Sequence, residues 1–252
     1  MISNSYVYSH GDFDIDTGQF YHQHTALDPN SDAVLLSGSQ LRINADSILN
    51  ESRFISDDVL SINVLGDFNQ HGLLFSNTDM RLAVDGSLFN RKGHIYSFGD
   101  LSVMNRLGTK SKGVDNYLGY IASMGDMTIK TESYRNLRDG IGSKTYSSLL
   151  THPGKNFSER IYGEYELNSD RAILRSEGDI IFDTDHILNE GSTISAAGNI
   201  HFNGGTIDNH THELKQVDRH YLSYDEKETY STLEFRCALV ECGFLCLKFD
   251  CP

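Results

Sequence analysis

At 252 residues the chain has room for one large domain or two ordinary ones, and its 38% hydrophobic content supplies a lean but sufficient core. A formal net charge of −14 argues against a nucleic-acid or anionic-membrane surface, because phosphates would be repelled rather than neutralised. No run of 18 apolar residues exists, which excludes a bilayer-spanning helix.

The N-terminus, MISNSYVYSHGDFDID, has neither a basic region nor an apolar stretch of signal-peptide type. The chain is therefore expected to be cytosolic or a piece of something longer, with residues 1–32 forming a partial first coil. Short alternating runs follow, at Leu41-Arg-Ile43, Leu60-Ser-Ile62-Asn-Val64, Met80-Arg-Leu82-Ala-Val84 and Leu101-Ser-Val103. Each places apolar side chains on one face of a strand. Ser, Asn, Asp and Gly recur between them as turn chemistry, with three prolines and no tryptophan in the chain.

Aligned, the runs start at Leu41, Leu60, Met80, Leu101 and Met127, then at Ile180 and Ile200, with spacings of 19, 20, 21 and 26 and a last spacing of 20. Asn50, Asn69, Asn90, Asn136, Asn189 and Asn209 form a second column. The consensus reads N-x-x-G-x-I-x-S-x-G-D-(L/M/I)-x-(I/V/F). A hairpin protein has no reason to repeat near twenty residues, whereas a solenoid stacks one such period on the next at about 4.8 Å. The expected fold is all-β: a right-handed parallel β-helix with loop insertions and a non-repetitive C-terminal tail. Ile200 and Phe202 then belong to the inward ladder.

In this reading Gly99, Asp100, Gly125, Asp126, Gly178, Asp179, Gly198 and Asn199 are corners of successive coils. Glycine allows a turn that a Cβ would hinder, Asp or Asn bonds its own backbone across the corner, and Asn at the other corner tolerates the left-handed conformation. Stacked amides can also form ladders along the coils. The same Asp column is chemically able to act as an acid/base set or to ligate calcium. His22-x-His24 and His210-x-His212 place pairs on one strand face without a third ligand nearby, the pattern of surface histidines.

The coils are interrupted at about 104–118 and 136–170, leaving 33–209 as the repeat region. Both interruptions follow the same strand column and should emerge on one face. Basic residues of the longer one, Arg135, Arg138, Lys144, Lys155 and Arg160, stand out on an acidic chain, and a receptor-binding loop would use Arg138, Lys144, Lys155 and Arg160. From about 210 to 252 the period ends. Cys237, Cys242, Cys246 and Cys251 close the chain at C-x4-C-x3-C-x4-C, which leaves two disulfides, a shifted reading frame and metal binding open.

The segments NYLGYIASMGDMTIKTESYRNLRDG and LRSEGDIIFDTDHILNEGSTISAAGNIHFNGGTIDN resemble the hemagglutinin repeats of filamentous-hemagglutinin-type exoproteins, a group that includes CdiA-type effectors of contact-dependent growth inhibition. The resemblance runs from about Ala33 to Asn209. It implies a right-handed β-helical stalk, exported through an outer-membrane partner transporter, displayed at the bacterial surface and engaging a cell-surface receptor or glycan. It implies no catalytic, cofactor or metal residue, no nucleic acid and no membrane span. A β-helical polysaccharide lyase or glycosidase and a nonfunctional truncated remnant are the alternatives.

Overall fold

The structure is a computed structural model that describes residues 2–3, 5–23, 33–139, 142–151, 157–166, 170–210, 215–223 and 229–236. Of these, 2–3, 142–151, 157–166, 215–223 and 229–236 are described by their backbone. Among the described residues the secondary structure is all β, without a helix, and the pairing is mostly parallel. Two compact units divide the chain, one of residues 1–138 and 170–210, the other of 139–169 and 211–252.

The first unit winds in a solenoid-like manner between two parallel sheets. Eight short strands make one sheet: Tyr6–Ser9, Val34–Ser37, Arg53–Ser56, Leu73–Ser76, His94–Ser97, Tyr120–Ser123, Ile173–Ser176 and Thr193–Ala196. The second, longer sheet follows each of these with Phe13–Gln23, Leu41–Asn50, Leu60–Val64, Met80–Val84, Leu101–Met104, Met127–Leu137, Ile180–Glu190 or Ile200–Asn203. Where a bend intervenes, a separate limb continues the long sheet, as in Phe68–Gln70, Ser87–Arg91, Ser111–Tyr117 and Thr206–His210.

The register is the one that the repeat dictates. Leu41 pairs with Leu60, Leu60 with Met80, Met80 with Leu101, Leu101 with Met127, Met127 with Ile180, and Ile180 with Ile200. The pairing also reaches back to Phe13, opposite Leu41, across a 28-residue step that the period does not announce. Backbone bonds follow the same columns: Met80 N donates to Asp100 O at 2.8 Å, Leu101 N to Asp126 O at 2.9 Å and Met127 N to Asp179 O at 2.8 Å. Apolar residues at equivalent positions stack between the sheets, including Phe54, Leu74, Ile95 and Ile121 against Ile62, Leu82, Val103 and Ile129, all essentially solvent-free. Each such side chain contributes about 1.5–3 kcal/mol of burial. The ladder ends in the open: Phe202 stacks on Phe182 at 5.2 Å in the inward column but is 41% exposed.

The first interruption is smaller than 104–118. Ser111–Tyr117 is a regular strand of the long sheet, with Val114 in the core, and only the turn before it is additional. The second is not a loop. Gly142–Thr151 and Phe157–Glu166 pair antiparallel, and Phe157–Glu166 pairs in turn with Lys215–Ser223, which pairs with Thr229–Arg236. Insertion and tail thus build one four-stranded antiparallel sheet.

Candidate functional site

The corner glycines owe their identity to stacking, not to left-handed backbone. Among the described residues positive φ occurs at Gly108, Gly191, Gly204, Gly205, Lys92 and Leu118, and at none of Gly99, Gly125, Gly178 and Gly198. A Cβ on Gly99, Gly125, Gly178 or Gly198 would instead fall on Oδ1 of Asp79, Asp100, Asp126 or Asp179, the carboxylate of the preceding coil. Those carboxylates do not bond their own corner, as expected from sequence, but the next one. Asp100 Oδ1 accepts from Asp126 N at 2.8 Å, Asp126 Oδ1 from Asp179 N at 2.8 Å, and Asp179 Oδ1 from Asn199 N at 2.6 Å. Each Asp therefore spends one oxygen on a charge-assisted bond that ties two coils together.

The second column is an amide ladder, buried as far as Asn136 and open to solvent at Asn209. Asn90 Nδ2 donates to Asn116 Oδ1 at 2.8 Å, Asn116 to Asn136 at 2.9 Å, Asn136 to Asn189 at 2.8 Å and Asn189 to Asn209 at 2.7 Å. Sequence alignment places Asn69 in this column; the register places Gln70 there, opposite Asn50 and Asn90. Asn116 also belongs to it. The longer Gln70 side chain reaches past Asn90 to the carbonyls of Gly72 and His94, and Asn90 Oδ1 is left buried without a partner. None of these Asn residues is left-handed; Lys92 and Leu118, two positions after Asn90 and Asn116, take that conformation at φ of 58° and 53°.

His22 heads the ladder. It is fully buried, not on the surface as its spacing suggested, and it stacks on Phe54 at 4.8 Å and on Phe20 at 6.3 Å. Asn50 Nδ2 donates to Gln70 Oε1 at 2.8 Å, so Asn50 Oδ1 is the acceptor facing His22 Nδ1 at 2.9 Å. The proton must sit on Nδ1, and Nε2 is buried without a partner. Burial holds this imidazole below the usual histidine range, only partly offset by the Asn50 bond. Tyr134 is a similar case: its ring packs on Phe182 in the core, its hydroxyl has no partner, and burial pushes its ionisation far up.

Of the residues expected to form a receptor-binding loop, Arg138 alone has a described side chain. Arg138 is buried, 8% exposed, and burial lowers its affinity for a proton. Lys144 lies on Gly142–Thr151 and Arg160 on Phe157–Glu166, in the antiparallel sheet. Lys155 lies outside the described residues, as do His24, His212 and the four cysteines. Arg135 remains on the long sheet and pairs with Asp115 at 3.3 Å. Among the described residues no three His, Cys, Asp or Glu side chains stand close enough to hold a metal ion, and no helix is long and apolar enough to cross a membrane.

The outer face of the eight-stranded sheet is the surface that motif reasoning missed. Alternation points Ser and the core residue inward and leaves two outward columns. One runs Tyr6, Val34, Arg53, Leu73, His94, Tyr120, Ile173; the other runs Tyr8, Leu36, Ile55, Phe75, Tyr96, Ala122, Arg175. Tyr96 and Tyr120 lie 5.1 Å apart beside His94, and Phe98 meets Phe75 edge-on at 5.3 Å. Phe98 and Met124, on the adjoining corner, are 55% and 57% exposed. A shallow cleft lined by Glu51, Ser52, Arg53, His71, Leu73 and His94 opens beside the first column. A signal was present in the sequence: VLLS, LLFS and YIAS carry three successive apolar or aromatic residues without alternation, unlike LSINV. Comparison with protein-family models, curated proteins and solved structures finds no match for the chain.

Proposed function

We propose that this chain is a segment of a secreted, cell-surface filamentous adhesin or contact-dependent inhibition exoprotein. It works as a right-handed β-helical stalk that presents a binding surface to a receptor or glycan on another cell. The observation that carries this reading is the in-register repeat itself: one column of corner Asp and one of ladder Asn persist across both interruptions. Such a winding extends and displays; it needs no reacting group. The resemblance supplies the rest, including export through an outer-membrane partner transporter by parts of the parent protein. A polysaccharide lyase is the weaker reading, because Asp100, Asp126 and Asp179 are each engaged by the next corner's backbone.

Fluorescently labelled full chain, titrated onto mammalian and bacterial cells, tests the proposal. Saturable binding to one of the two is expected. Absence of saturable binding to both overturns it, as does depolymerisation of an anionic polysaccharide that is lost in Asp126→Ala.

A further inference from the structure

Parallel strands covered on both faces read as continuous apolar runs, whereas strands with one wet face alternate. The strands VLLS, LLFS and YIAS are of the covered kind, yet one of their faces is left half-exposed. We propose that the outer face of the eight-stranded sheet is an interface between two copies of this chain, packed sheet on sheet.

Extent, charge and composition select that occupant. Eight strands about 4.8 Å apart, each four residues of about 3.3 Å, make a face of roughly 38 by 13 Å. That is about 500 Å² per copy and about 1,000 Å² in all, the size at which specific interfaces begin. The chain carries a net charge of −14, and its own copy must avoid a carboxylate-bearing surface. Neither outward column contains Asp or Glu, and Glu177, which flanks Arg175, is already paired with it at 2.6 Å. Among the aliphatic side chains of the two columns stand four Tyr, Phe75 and two Arg, residue types enriched in interface cores. The most exposed apolar groups beside the sheet's middle strands are Phe98 and Met124, so a two-fold axis there brings the patch against itself. Aligned sheets about 10 Å apart interdigitate such side chains.

Sedimentation velocity of the full chain under reducing conditions, from about 1 to about 200 µM, is the test. A dimer that grows with concentration is expected. Phe98→Asp and Met124→Asp should each weaken it at least about 30-fold, the loss typical of a central interface residue, while Arg81→Ala on the other sheet leaves it unchanged. A chain that stays monomeric at every concentration overturns the proposal, and so does a dimer weakened by Arg81→Ala but not by the other two. If either Asp variant loses its β-sheet circular dichroism, hydroxyl-radical footprinting of the unmodified chain decides. Protection of Phe98, Tyr120 and Met124 at high concentration is expected; unchanged reactivity overturns.

Discussion

The two outer faces of the winding cover one core and differ in almost everything else. On the long sheet, Arg42 bridges Asp14 at 2.9 Å and Asp12 at 3.6 Å, and Asn63 bonds Asn44, which bonds Asp16. On the eight-stranded sheet the equivalent outward positions hold aromatic and aliphatic groups. The inward columns are nearly interchangeable by contrast, because each side chain there must match the one above and below it. Stacking constrains the inside; the outside is free to carry whatever distinguishes this chain. The exposed ion pairs of the long sheet sit in water and add little to stability.

If the two sheets share one core, removing an inward side chain should cost about the same on either. Phe182→Ala and Leu74→Ala should each lower unfolding free energy by about 3–5 kcal/mol, read from denaturant midpoints. A large loss on one sheet and almost none on the other breaks the picture of a common core.

The corners join the two sheets, and Gly125→Ala should cost about 2–3 kcal/mol, because its Cβ meets Asp100 and the backbone of Gly99 with no room to yield. An unchanged midpoint means that the corner opens freely.

His22 belongs to the first coil alone. Unfolded, it takes up a proton near pH 6.5, whereas the buried ring resists it. Stability present above that pH is therefore lost as the pH falls below it toward the depressed folded value. The hydrogen-exchange protection factors of Phe13–Gln23, corrected for the intrinsic slowing of exchange at lower pH, should fall from pH 7 to pH 5 more than those of Met80–Val84. His22→Asn should remove that difference; a difference that survives assigns it to another group.

The smallest effect is a gain. Tyr134→Phe deletes an unpartnered buried hydroxyl from the inward ladder and should stabilise by about 1 kcal/mol. A loss of stability would show that the hydroxyl has a partner, and Tyr134 would no longer be a plain core residue.

The period was legible in the sequence because parallel, in-register stacking turns a spacing of about twenty residues directly into contact. Leu60 finds Met80 because nothing else lies at that step, and the repeated Gly-Asp marks the step at each corner. The bonding within a corner was not legible. Whether Asp126 bonds its own backbone or the next coil's, and whether Asn69 or Gln70 enters the amide column, differ by one residue and a few ångströms. Nor was the burial of His22 and Arg138, since polar spacing looks alike on either side of a strand.

By itself, then, the sequence determined the all-β class, the coil length and the inward columns, all of which rest on local alternation repeated at a constant interval. Only the tertiary structure decided that Gly142–Thr151, Phe157–Glu166, Lys215–Ser223 and Thr229–Arg236 form one antiparallel sheet, and that outward side chains of successive coils merge into an apolar face. Both depend on contacts between segments far apart in the chain, and no period in the sequence announces such contacts.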